Sequence, residues 1–142
     1  MRVLFVCFGN ACRSQMADAI ARQEASDVMT VDSAGLIPLG YVPELTTSTL
    51  EKNGYSAEGL ESKGISGEVW KAADLVVNMS GEPRERAFKE FAKVQDWDVE
   101  DPFGEDPQVY QRIFEVIRGR VLELAMQIRK ESKRADHERT TV

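Results

Sequence analysis

The tightest constraint on the fold lies at the start of the chain, in Val3-Leu4-Phe5-Val6-Cys7-Phe8-Gly9-Asn10-Ala11-Cys12-Arg13-Ser14. Residues 3–6 are β-prone and apolar at every position rather than at alternate ones, the pattern of a strand covered on both faces in a parallel sheet. The strand runs into a Gly-Asn turn, and a helical pattern starts at once, with Met16, Ala17, Ile20 and Ala21 on one face. A strand, a tight loop and a helix in immediate succession let the loop's backbone N–H groups converge, and the helix adds its positive end. Such a nest suits a tetrahedral oxyanion.

Cys7 falls at the base of this nest, where converging N–H groups and the Arg13 guanidinium favour the thiolate, the nucleophilic form of a cysteine. Arg13 is always charged and fork-shaped, so it can hold two oxygens of a phosphoryl group at once. Phe8, Gly9, Asn10, Ala11, Cys12, Arg13 and Ser14 are therefore the candidate oxyanion-binding residues, and Gly9 and Asn10 are residue types that tolerate the positive φ of a tight cradle. Ser14 can donate its hydroxyl to the sulfur or cap the helix. The plain alternative is a structural cysteine near a strand end, with Arg13 solvated on the first helical turn. The Cys-x5-Arg spacing alone does not decide between them; the preceding strand, the internal Gly-Asn and the following serine favour chemistry.

Further apolar runs at residues 28–31, 75–77 and 94–97 read as short strands. Helical patterns fall at 14–24, 43–52, 67–73 and 83–92, and the last helix is marked by Val109, Ile113, Val116, Ile117, Val121, Leu124 and Ile128. Strands alternating with helices predict an α/β fold: a four-stranded parallel sheet of order 2-1-3-4 with helices on both faces. Ligands of such sheets bind beyond the carboxyl ends of the strands where the order reverses, between strands one and three here. One domain over residues 1–131 accounts for the chain, with a flexible, charged tail at 132–142 that begins to fray near Lys130.

A net charge of −6 argues against non-specific nucleic-acid binding, because phosphate backbones are repelled by the average surface. No apolar run approaches membrane-spanning length, and residues 1–6 lead straight into the loop without room for a signal peptide, so the expected compartment is the cytoplasm. Cys7 and Cys12 are the only cysteines, and their spacing within one loop is no disulfide framework. The single histidine, His137, sits in the charged tail, so a zinc hydrolase site or a Cys-His dyad lacks its parts; no metal and no cofactor are expected.

If Cys7 takes up a phosphoryl group, a general acid must protonate the leaving oxygen and then activate water. Asp101 is the leading candidate: Pro102 stiffens the turn after it, and Phe103 can flank a substrate ring. Residues 36–41, Tyr41 among them, are the other expected wall. Asp106-Pro107 is a rival copy, but a proline at the first helical position makes Asp106 a natural N-cap. Few residues separate Asp101 from Val109, which leaves little chain for a substrate-gripping flap.

Together, Val-Cys-x-Gly-Asn-x-Cys-Arg-Ser, Val31-Asp32-Ser33-Ala34-Gly35, Ser62-Lys63, Asp74-Leu75-Val76-Val77 and Asp101-Pro102 resemble the low-molecular-weight protein tyrosine phosphatases and the thioredoxin-linked arsenate reductases of the same superfamily. The resemblance covers nearly the whole chain and implies a phosphotyrosine phosphatase I-like, flavodoxin-like fold. It implies Cys7, Arg13 and Asp101 as catalytic residues, Asn10 and Ser33 bracing each other beneath the loop, and Cys12 as a possible redox partner of Cys7. It also places Asp18 where the reductases often carry an acidic residue near potassium, whereas the helical pattern alone reads Asp18 as a solvated side chain. The implied substrate is a phosphotyrosine protein or a small aryl phosphate, with phosphate, arsenate or sulfate as ions for the loop. The thioredoxin-linked reductases relay a disulfide through two cysteines after the third strand; here that segment reads Val77-Asn78-Met79-Ser80-Gly81-Glu82-Pro83-Arg84. Phosphatase chemistry is therefore the first expectation, a reductase drawing on an external thiol the second, and a silent oxyanion-binding module the third.

Overall fold

A computed structural model describes the backbone of residues 1–140 and the side chains of residues 1–139. In chain order the elements are β1 (Arg2–Cys7), α1 (Arg13–Glu24), β2 (Thr30–Gly35), α2 (Glu44–Lys52), α3 (Gly67–Ala72), β3 (Leu75–Asn78), α4 (Arg84–Ala87), β4 (Val94–Asp96) and α5 (Pro107–Thr140). The strands form one parallel sheet of order β2-β1-β3-β4, as the alternation of patterns predicts. β1 is central, with Val6 opposite Ala34 on one side and Asn78 on the other.

Alternate residues of β1 enter different cores, because successive side chains of a strand point to opposite faces. Val3, Phe5 and Cys7 join the larger core with Met16 and Ile20 of α1 and Ile113, Phe114, Ile117 and Val121 of α5. Leu4 and Val6 join a smaller one with Ala34, Val76 and Val94, covered by Leu36, Ile65, Val69, Trp70 and Phe88. Both faces are thus covered, one by long helices and the other by the short α3 and α4 and their loops.

Three local expectations are corrected. The second strand begins at Thr30, not Val28, because the N–H groups of Val28 and Met29 still bond to Ala25 at the end of α1 while the Thr30 N–H takes the Met1 carbonyl. The helix expected over 83–92 is only α4, since Phe88 is extended (φ −130°, ψ 141°) and its ring stacks on Trp70 at 5.2 Å. Val116, at the margin of the apolar stripe of α5, is exposed. Beyond these, α5 (Pro107–Thr140) remains helical within the segment expected as a flexible tail. Residues 130–139 are exposed, yet they contain neither glycine nor proline and are rich in helix-forming Lys, Arg, Glu and Ala, with an Arg139–Asp136 ion pair along the helix. The last two residues of that tail lie outside the described residues. Among the described residues no helix is long and apolar enough to cross a membrane.

Ile117 is fully buried where α5 meets the sheet. Truncation to alanine removes its contacts and leaves a cavity, so Ile117→Ala is expected to lower unfolding free energy by about 2–5 kcal/mol. Equilibrium urea denaturation measures this, and a loss below about 1 kcal/mol would contradict the placement of α5 in the core.

Candidate active site

β1 ends at Cys7, and residues 8–12 make a loop that turns into α1. Asn10 takes the left-handed conformation (φ 49°), the one non-glycine among the described residues to do so; Gly9, expected to share that role, has no positive φ. The loop's carbonyls are each held by a donor outside it. Those of Cys7 and Phe8 accept from the N–H groups of Leu36 (3.1 Å) and Ile37 (2.9 Å), and that of Gly9 accepts from Leu39 N–H (2.9 Å) and the Ser62 hydroxyl (3.0 Å). The Asn10 carbonyl accepts from Gln15 Nε2 (2.9 Å), that of Ala11 from Thr46 Oγ1 (2.9 Å), and that of Cys12 from Met16 N–H (2.9 Å). Among the described residues, no backbone N–H from Phe8 to Cys12 donates to a protein acceptor.

The side chains complete the shape. Cys7 is buried with its Sγ 2.9 Å from the Ser14 hydroxyl, so Ser14 faces the sulfur rather than capping α1, whose N-cap is Cys12. Asn10 Nδ2 donates to Ser14 Oγ (2.8 Å), and Asn10 Oδ1 accepts from Lys63 N–H (2.9 Å). The brace expected between Asn10 and Ser33 does not form: both ends of the Asn10 amide are already committed, and the Ser33 hydroxyl is buried with no hydrogen-bond partner.

Arg13 is almost fully buried and is the hub between loops. Its Nη1 donates to the carbonyls of Met79 (2.5 Å) and Val99 (3.2 Å), after β3 and β4 respectively, and its Nη2 lies 3.4 Å from Asp101. Nε is buried without a protein partner. Asp101 is half exposed and also accepts from Phe103 N–H (3.1 Å). Asp106 accepts from the N–H groups of Gln108 and Val109 at the start of α5 (both 3.1 Å), the geometry of an N-cap, which separates the two Asp-Pro copies.

Cys7, Cys12, Arg13 and Asp101 line one cavity of about 350 Å³ with Phe8, Gly9, Ala11, Ile37, Pro38, Leu39 and Phe103. The wall expected from residues 36–41 is supplied by Ile37, Pro38 and Leu39. Leu36 turns instead into the smaller core, and Tyr41 lies outside the lining.

Cys7 and Cys12 are both free and both buried. The Cys12 sulfur lies 3.5 Å from the Tyr110 hydroxyl of α5. Burial pushes the Cys12 thiol above the usual cysteine range, and burial likewise pushes up the Tyr110 phenol, helped by its bond to Cys12. Asp18 is not solvated: it is buried and paired with Arg22. Among the described residues no three His, Cys, Asp or Glu side chains gather as a metal site. The sequence pattern assigns no role to Gln15, Thr46 or the anchoring carbonyls of Met79 and Val99. Only buried polar residues on a helix's inner face, such as Thr46 and Thr49, could have signalled any of them.

Comparison with known proteins agrees with this fold. A protein-arginine-phosphatase of Bacillus subtilis strain 168 is 32% identical over 94% of this chain and all of its own length. Arsenate reductase 1 of Bacillus cereus is 30% identical over 87% of this chain and 92% of its own. The crystal structure of a low molecular weight protein tyrosine phosphatase from T. tengcongensis superposes with a TM-score of 0.81 at 30% identity, covering 89% of this chain and 99% of that one. Residues 2–134 match the family described as low molecular weight phosphotyrosine protein phosphatase, and the chain belongs to that family.

Proposed function

We propose that the protein hydrolyses aryl phosphate monoesters, protein phosphotyrosine included, through a cysteinyl-phosphate on Cys7. The observation that carries this reading is the meeting of Cys7, Arg13 and Asp101 on one cavity, with Arg13 pinned between two loop carbonyls and Asp101. The Cys7 thiolate attacks phosphorus in line, forming the S–P bond as the P–O bond to the aryl group breaks. Asp101 gives its proton to the leaving phenolate. The loop N–H groups and Arg13 stabilise the charge on the equatorial oxygens. The Asp101 carboxylate then accepts a proton from water, whose oxygen attacks phosphorus; the S–P bond breaks and phosphate leaves. Ser14 donates to the sulfur and supports it as nucleophile and as leaving group.

The cavity walls favour an aromatic ester. Phe8, Ile37, Pro38, Leu39 and Phe103 present apolar faces to a flat ring, and Asp101 is the one carboxylate among the lining residues. A second reading, phosphoarginine as substrate, is favoured by the relative named a protein-arginine-phosphatase. On it, Asp101 must serve a substrate guanidinium while it faces Arg13. Arsenate reduction through an internal relay is disfavoured because Met79, Ser80, Gly81 and Glu82 stand after β3 where that relay needs thiols, so a reductase built on this loop would draw on an external thiol.

Initial rates with p-nitrophenyl phosphate, phosphotyrosine peptide and phosphoarginine test the assignment. Cys7→Ser is expected to abolish turnover, and Asp101→Asn to lower kcat by about 10²- to 10⁴-fold, the usual contribution of a general acid. Undiminished turnover in Cys7→Ser sinks the mechanism. A kcat/KM for phosphoarginine tenfold above that for phosphotyrosine would move the substrate assignment to the second reading.

The two cysteines should also separate chemically. A thiol whose pKa is raised stays protonated through neutral pH and becomes reactive only in more alkaline solution, so Cys12 is expected to resist alkylation where Cys7 reacts. Iodoacetamide labelling followed by peptide mass spectrometry across pH measures both rates, and inorganic phosphate should protect Cys7. Equal labelling of the two at neutral pH would contradict the raised Cys12 thiol and its contact with Tyr110.

A further inference from the structure

Two side chains outside the catalytic triplet grip the loop from behind. Thr46, on α2, is fully buried, and its hydroxyl donates to the Ala11 carbonyl at 2.9 Å. Gln15, on the first turn of α1, is buried, and its Nε2 donates both to the Asn10 carbonyl (2.9 Å) and to the Glu61 carbonyl (2.8 Å). The peptide unit is planar and trans, so the carbonyl of one residue and the N–H of the next point in opposite directions. A donor that holds the Ala11 carbonyl outside the loop therefore fixes the Cys12 N–H on the other side; one that holds the Asn10 carbonyl does the same for the Ala11 N–H. Backbone donors from residues 36–39 play this part for the first half of the loop. For the second half the donors are side chains, and mutation can remove them one at a time.

We propose that Thr46 and Gln15 are positioning residues of the oxyanion site, Thr46 aiming the Cys12 N–H and Gln15 the Ala11 N–H into the loop. The inference rests on the reading of this loop as an oxyanion site, but not on which ester is cleaved. Neither residue touches the reacting atoms. Each removes a rotational choice from one peptide unit, so the N–H groups are aligned before the ligand arrives and need no reorganisation as charge develops in the transition state. Ala11 is buried and its carbonyl has no donor but the Thr46 hydroxyl among the described residues; without it, the 11–12 peptide is free to rotate toward other partners. Ser62 is a weaker candidate, because the Gly9 carbonyl it reaches is also held by Leu39 N–H.

The test uses the full chain labelled with ¹⁵N and titrated with inorganic phosphate, followed by amide shifts and by kcat and KM for p-nitrophenyl phosphate. In the wild type, phosphate should move the amide signals of residues 8–12 downfield. Thr46→Val, close to isosteric but without the hydroxyl, is expected to lose the shift at Cys12 selectively, to weaken phosphate about tenfold and to lower kcat more than it raises KM. Thr46→Ser keeps the hydroxyl and should restore all three. Gln15→Met should lose the shift at Ala11 instead.

A Thr46→Val protein with wild-type shifts and phosphate affinity, or a Thr46→Ser protein as impaired as Thr46→Val, overturns the role of Thr46. If Thr46→Val does not fold, Gln15→Met decides: retention of the Ala11 shift overturns the proposal, and selective loss supports it. Wild-type protein that binds no phosphate overturns the oxyanion reading itself, a result distinct from equal binding by wild type and variants.

Discussion

At Gly35 the end of β2 meets the Cys7 loop backbone to backbone, and the rest of the site depends on that contact. A Cβ there would stand 2.7 Å from the Asn10 nitrogen, 2.8 Å from the Gly9 carbonyl carbon and 2.9 Å from the Phe8 oxygen, all of them main-chain atoms without rotamers to yield. Any side chain lifts the loop off the sheet. The next residues, Leu36 and Ile37, are those whose N–H groups hold the Cys7 and Phe8 carbonyls, so lifting the loop also frees the first two peptide units of the cradle. Gly35 N–H is itself fixed by the Lys63 carbonyl, and the Lys63 N–H holds Asn10. One close approach thus joins the strand end, the left-handed turn at Asn10 and the segment around Ser62 into a single rigid unit.

Arg13 extends this unit to the other half of the sheet. A guanidinium this deeply buried is costly unless hydrogen-bonded and paired, and Arg13 takes two carbonyls and a carboxylate from the loops after β3 and β4. The same bonds that offset its desolvation set the distance between the Cys7 loop and Asp101. They also resolve an apparent conflict of charge. The chain carries a net −6, which repels a phosphate dianion at long range, but the field that counts at the cradle comes from one cation in a low-dielectric setting and from N–H dipoles at contact distance. Global charge then acts on encounter rates, whereas local geometry governs binding once the anion is seated.

The parts of this arrangement that were legible in the sequence are those whose signal is local. An apolar run, a Gly-Asn turn and an amphipathic stretch are visible in adjacent residues, and they place the strands, the loop and the sheet order. Val28 and Met29 carry a strand-like apolar signal but close the end of α1, because apolar residues also terminate helices. The helix after Pro83 stops short of its sequence pattern because Phe88 leaves it to stack on Trp70, a tertiary contact with no trace in its neighbours. Asp101 and Asp106 look alike as Asp-Pro pairs, and only the N–H groups that each one meets tell an N-cap from an Arg13 partner. Thr46 and Gln15 were illegible for a deeper reason. Their partners are main-chain carbonyls, which every residue carries, so no pattern of side chains announces the bond.

The contrast between hydrolysis and reduction comes down to what can reach the sulfur after the first step. On the proposed mechanism, attack by Cys7 on a tetrahedral oxyanion would serve either chemistry, since N–H groups and a guanidinium select shape and charge rather than the central atom. The second step needs water with a base, or a second thiol. Asp101 is half exposed, so water can approach the cavity on the side where the carboxylate stands. The other sulfur in the loop, that of Cys12, sits in the core beside Tyr110, with burial holding it in the neutral and less nucleophilic form. Cys12 lines the same cavity as Cys7, but to act as resolver it would have to give up the Tyr110 contact and ionise, both opposed by the packing around it. Rigidity of the cradle and use of its second cysteine are therefore in competition, and the hydrogen bonds from Thr46 and Gln15 weigh on the side of rigidity.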